Sequence, residues 1–150
     1  MPVELEYKYL VDVNQVFFDD LCIILKNQNT PYTSKTIEQR YFPKTGRLRK
    51  ISQENMVDRY IFTFKHNLSY IDGDLEIETD ISKEDFDLGW RDCSHDILKN
   101  RITFSSGNHI WEIDFFKSPE TGNHNLIIIE CEVNKDKPDI SCLPTYIRNN

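Results

Sequence analysis

Carboxylates and cations recur in this sequence in pairs two residues apart. Acidic pairs stand at Glu4 and Glu6, Glu76 and Glu78, Glu112 and Asp114, and Glu130 and Glu132; basic pairs stand at Arg47 and Arg49 and at Lys99 and Arg101. Lys8 follows the first acidic pair at the same spacing, and Lys65 follows Thr63. Successive side chains of an extended strand point to opposite sides, so each pair shares one face. Clustered carboxylates call for a cation between them, and oxygen ligands with no His or Cys nearby suit a hard ion such as Mg²⁺ or Mn²⁺. Lys8, Arg47, Arg49, Lys65, Lys99 and Arg101 can hold phosphate oxygens, Arg through a two-pronged fork and Lys as a point charge.

Apolar residues oppose the charges on the other face: Val3, Leu5 and Tyr7; Leu48; Phe62 and Phe64; Leu75 and Ile77; Ile102 and Phe104; Trp111, Ile113 and Phe115; Ile129, Cys131 and Val133. The wet side of an ordinary antiparallel sheet alternates in the same way. Such a side, however, mixes Thr, Ser, Lys, Glu and Gln, and like charges side by side are mildly unfavourable. If the strands curl into a closed barrel, the charged faces line its interior, where unpaired ions are expensive unless water, metal ions and a polyanion share the space.

The alternation predicts strands over 3–11, 47–51, 59–66, 74–81, 99–105, 109–116 and 126–133. Turn-forming stretches separate them at 43–46, 71–73, 105–108 and 118–125, and such short links favour hairpins over crossover helices. One helix is expected over 13–28, with Val16, Phe17, Leu21 and Ile24 near one face and Asp12 or Asn14 as its cap. A second begins at Ser82, where Ser82 and Asp85 match a capping box, and runs toward Leu98 with an interruption near Gly89.

At 150 residues the chain suits a single domain, 1–150, and its net charge of −7 excludes a field that attracts DNA or an anionic membrane. An anionic ligand must then be held by local cations. Cys22, Cys93, Cys131 and Cys142 lie far apart with no C-x-x-C pair, and no segment resembles a signal peptide or a membrane span. Reduced thiols in a cytoplasmic protein are expected. The four histidines are scattered, with no zinc-like spacing, and read as exposed or loop residues.

Glu4-Leu-Glu6-Tyr-Lys8 resembles the ExExK signature of the CYTH superfamily, the triphosphate tunnel metalloenzymes. Arg47-Leu-Arg49, Thr63-Phe-Lys65, Glu76-Ile-Glu78, Lys99-Asn-Arg101, Trp111-Glu-Ile-Asp114 and Glu130-Cys-Glu132 resemble the family's later strand motifs, in the same order. The resemblance spans residues 3–133 and implies a mainly β fold, an eight-stranded antiparallel barrel open as a tunnel with flanking helices. It implies Glu4, Glu6 and Glu132 as metal ligands, assisted by Glu130, with Glu76, Glu78 and Asp114 holding a second metal or orienting the attacking water. Lys8, Arg47, Arg49, Lys65, Lys99 and Arg101 would bind the phosphates. Asp74 stands where many members carry an Arg, and the stretch after Asn134 lacks an obvious closing helix and reads as a solvated tail carrying Lys135, Lys137 and Arg148.

The activity so implied is metal-dependent hydrolysis of a linear triphosphate, with no covalent nucleophile. Inorganic triphosphate comes first because no extra element for reading a base or ring is evident; thiamine, nucleoside and RNA 5′-triphosphates follow. The alternatives are a class IV type adenylate cyclase and a non-catalytic module that binds a nucleotide or polyphosphate. A small-molecule partner is expected, no membrane or DNA, and a monomer or homodimer.

Overall fold

The computed structural model describes residues 3–44, 46–67, 73–133 and 137–150, and for Val3 and Glu4 the backbone alone. The Glu4 side chain, Thr45 and Ile71-Asp72 of the expected turns, and Lys135 therefore lie outside the described residues. The fold is mainly β and antiparallel. Nine strands are described, and they reduce to the expected eight once β1 (Val3–Glu4) and β2 (Glu6–Val11) are counted as one strand interrupted at Leu5. The chain divides into two compact units, 1–5 with 35–99 and 6–34 with 100–150.

The first unit orders its strands β1, β6 (Asp74–Asp80), β5 (Arg59–Asn67), β4 (Gly46–Ser52), β3 (Tyr32–Phe42, from Lys35 on) and the beginning of β7 (Ser94–Ser106). β3 was not expected as a strand. Its sequence, Thr33-Ser-Lys-Thr, opens with no apolar alternation, so register with β4 rather than local pattern defines it. Its apolar face and those of its neighbours meet in Phe42 against Phe62 and Tyr60 against Phe86, centroids 5.9 and 4.9 Å apart. Helix α2 (Lys83–Trp90) covers this face: Phe86 is buried, and a Cβ on Gly89 would strike Leu48 at 2.8 Å. Ser82 caps α2 as expected, its hydroxyl accepting from the Asp85 amide at 3.0 Å. The helix stops at Trp90 instead of running toward Leu98, because residues from Ser94 onward join β7.

The second unit orders the end of β7, β8 (His109–Lys117), β9 (His124–Glu132) and β2. In-register rows build its core: Tyr7, Cys131 and Trp111, then Tyr9, Ile129 and Ile113, then Val11, Ile127 and Phe115. Helix α1 (Phe18–Asn27) packs Leu21 and Leu25 onto this core. It starts later than expected, since Asp12 caps a separate turn by accepting from the Asn14 amide at 2.9 Å, and Phe17 precedes the helix with its side chain exposed. The C-terminal segment is also not a solvated tail. A 3₁₀ turn at Ile140–Cys142 and α3 (Thr145–Arg148) bury Leu143 and Ile147 in the core, and the Asn150 carbonyl accepts from the Asp12 amide at 2.9 Å.

Candidate functional site

The face opposite the apolar one carries the charges in both units, and it is not a wet sheet surface. Arg49, Lys99 and Asp114 are buried, together with Gln39 and Thr63. Arg47, Glu76, Glu6 and Glu130 keep at most 18% of their side-chain surface exposed. Burying a charge is costly unless it is paired, so each unit should show partners, and it does.

In the first unit the register sets Tyr41 opposite Arg47, Arg47 opposite Thr63 and Thr63 opposite Glu78, with Lys65 opposite Glu76 one pleat away. Arg47 Nη2 lies 3.8 Å from Glu76 and 4.0 Å from Glu78, and Lys65 Nζ lies 3.8 Å from Asp74 and 4.0 Å from Glu76. Asp74, where the resemblance expects an arginine, thus places a negative charge beside Lys65. Arg49 donates through Nε and Nη2 to Gln39 Oε1 at 2.9 and 2.7 Å. A pocket of about 650 Å³ opens on this face, lined by Tyr41, Lys44, Arg47, Thr63, Lys65 and His95 among others. Arg47 Nε is buried and has no hydrogen-bond partner among the described residues. His95 reaches the pocket from the first residues of β7 with φ of 64°, a left-handed backbone that non-glycine residues adopt at a cost. The turn that delivers it is fixed by Arg40, which bonds Asp96 and lies 4.5 Å over the Trp90 ring. That bond also holds the Asp96 carboxyl below its usual range.

In the second unit Glu6 faces Glu132, and Lys8, Glu130 and Glu112 form the next row. Lys8 Nζ is 3.2 Å from Glu6 and 3.8 Å from Glu130. Arg101 donates through Nε and Nη2 to both oxygens of Asp114, at 2.7 and 2.9 Å, and through Nη1 to Glu112 at 2.9 Å. Burial works to lower the Arg101 pKa, but bonding to Asp114 and the charges of Asp114, Glu112 and Glu130 outweigh it and raise it above the ordinary guanidinium value.

These contacts show where the expected site residues stand. Asp114, expected as a metal ligand or water-orienting group, accepts from Arg101 at both oxygens, and Arg101, expected on phosphate, pairs with it. Glu76 and Glu78, expected at a second metal, stand beside Arg47, and Glu76 also beside Lys65. Glu6, Glu130 and Glu132 do come together on adjacent strands, with Lys8 among them. Among the described residues no group of three or more His, Cys, Asp or Glu is close enough to hold a metal ion. The donor set still fits a hard ion, which uses one or two carboxylates and completes its shell with water and phosphate oxygens. Gln39, Tyr41 and His95 went unread as site residues. Gln39 and Tyr41 belong to the strand whose pattern is weak, though their i, i+2 spacing is the signal that reveals the other pairs.

No protein-family model and no curated protein matches the chain. Solved structures do. The inorganic triphosphatase NE1496 is 20% identical over 96% of this chain and 86% of its own, with a TM-score of 0.51. The PH1012 protein of Pyrococcus horikoshii OT3 is 17% identical over 90% and 80%, TM-score 0.54. A chain of the Schizosaccharomyces pombe Mediator head module is 11% identical over 98% and 90%, TM-score 0.57. The chain shares the fold of these structures. No described helix is long and apolar enough to cross a membrane.

Proposed function

We propose that the protein is a divalent-metal-dependent hydrolase of linear triphosphates, with inorganic triphosphate as its first substrate. The observation that carries this reading is the pocket of about 650 Å³ lined by Arg47, Thr63 and Lys65, where a guanidinium and an ammonium share one cavity. Two such cations suit the oxygens of a polyanion. The likeness of fold to an inorganic triphosphatase supports the same reading.

Arg47 and Lys65 hold the phosphate oxygens and neutralise charge that grows on them as the terminal phosphoryl group departs. Glu76, beside both cations, is the carboxylate we assign to orienting the attacking water. Within the second unit, Glu6, Glu130 and Glu132 are the ligands we assign to Mg²⁺ or Mn²⁺, and such an ion would supply Lewis-acid charge to a phosphate oxygen bound to it. Phosphate release from inorganic, thiamine, nucleoside and RNA 5′-triphosphates with either ion tests the reading. Glu6→Ala and Glu132→Ala should abolish turnover with the fold intact, and Lys65→Ala should raise KM. Cyclic nucleotide in place of orthophosphate from ATP would identify a cyclase.

A second reading, binding without turnover, is favoured by the ion pairs that occupy Arg101 and Asp114 and by the recurrence of the fold in a Mediator chain. Triphosphate binding with no release above background under any metal would select it.

A further inference from the structure

Gln39 bridges Arg49 and Tyr41 by hydrogen bonds whose directions specify a role for each. Arg49 offers only donors, so the Gln39 atom that meets its Nε and Nη2 must be the carbonyl Oε1. The other end of the amide is then an NH₂ group, and Gln39 Nε2 donates to Tyr41 Oη at 2.7 Å. Tyr41 is therefore an acceptor in this bond, and its own hydrogen is not used in it. Gln39 is 2% exposed and Arg49 6%, so the amide cannot turn over without stranding two buried guanidinium donors. Tyr41 lines the pocket directly opposite Arg47, whose buried Nε has no hydrogen-bond partner among the described residues.

We propose that the Tyr41 hydroxyl donates to a phosphate oxygen in this pocket, beside Arg47, and that Arg49 is a positioning residue acting on substrate through Gln39. The arrangement deepens the triphosphate reading and rests on it. Buried Arg49 supplies orientation, Gln39 converts a charged donor into a polarised neutral one, and the phenol presents a hydrogen whose direction is fixed before the anion arrives. A hydroxyl so held favours an ionised phosphate oxygen, whose charge makes it the stronger acceptor, over an esterified or protonated one.

Calorimetric binding of tripolyphosphate in the presence of a chelator tests this apart from catalysis, with Arg47→Ala as reference. Tyr41→Phe should weaken binding about tenfold or more and raise KM with kcat changed less than about twofold, the loss of one hydrogen bond to a charged acceptor. Gln39→Glu is the decisive variant. Its carboxylate accepts from Arg49 at one oxygen and from the Tyr41 hydroxyl at the other, turning that hydrogen away from the pocket while every ring is retained. It should weaken binding as Tyr41→Phe does, and the double variant should be no weaker than Gln39→Glu alone. Wild-type affinity in Tyr41→Phe, with Arg47→Ala weakened, overturns the proposal and leaves the triphosphate reading standing. Additive losses in the double variant overturn the relay. Absence of tripolyphosphate binding by the wild-type protein, with chelator and with Mg²⁺ or Mn²⁺ alike, overturns both.

Discussion

Replacing Asp114 by Asn tests whether the Arg101 pair is structural. The change is isosteric and removes one charge from a carboxylate that is 1% exposed, while Arg101 keeps 12% of its side-chain surface in solvent. Of the two bonds to Asp114, at 2.7 and 2.9 Å, Arg101 would keep one, now to a neutral amide oxygen, and face an NH₂ group in place of the other, while retaining the bond to Glu112 at 2.9 Å. Each charge-assisted bond contributes about 1.5–3 kcal/mol, and breaking one partner of a buried pair costs about 3–5 kcal/mol. Glu112, 36% exposed, still offsets part of the stranded charge, so the lower end of that range, about 3 kcal/mol, is expected. For a chain of this size that lowers Tm by roughly 6–12 °C. Urea unfolding followed by far-UV circular dichroism should move its midpoint down with unchanged slope. The paired replacement Arg101→Met with Asp114→Leu should recover most of the loss, since an apolar pair of similar volume needs no compensation. The assignment fails if Asp114→Asn leaves stability untouched and weakens phosphate binding, because Arg101 would then be a ligand for substrate.

Other expectations follow from single residues. Burial, aided by Lys117, lowers the His124 pKa below its usual 6.5 against the opposing charge of Asp19. A depressed folded pKa means that the unfolded chain binds the proton more readily, so this stabilisation is complete above about pH 6.5 and is lost as pH falls through the folded value. His124→Gln should flatten the stability profile between neutral pH and pH 5 relative to wild type, and a parallel profile would refute the assignment. Gly107→Ala should destabilise by more than about 1 kcal/mol, since φ is 60° in a two-residue hairpin turn and the new methyl would meet Cys142 Sγ at 2.7 Å. Thermal melts check it against Gly122→Ala, where no atom lies within 4 Å of the added methyl and only backbone strain at φ of 73° remains. Ile147→Ala, 3% exposed in α3, should cost about 2–5 kcal/mol if the C-terminal segment belongs to the core, and less than about 0.5 kcal/mol if it is a tail.

The sequence by itself determined seven of the strands and which of their residues share a face, because strand periodicity depends only on backbone geometry. Glu76 beside Glu78, Arg47 beside Arg49 and the apolar row through Trp111, Ile113 and Phe115 were all legible from a spacing of two. The Ser82 cap was legible because a hydroxyl three residues before an amide acts locally. The break at Leu5 was not, since β1 pairs with β6 and β2 with β9, and strand pairing is a long-range choice. The 32–42 strand and the burial of Ile147 were hidden for the same reason. Charge pairing was decided by tertiary structure alone: the sequence counts Arg49, Arg101 and Asp114 as one cation after another and one more carboxylate. Only packing gives Arg101 to Asp114 and turns Arg49 onto Gln39, because a buried ion takes whichever complementary group the fold brings within hydrogen-bonding reach.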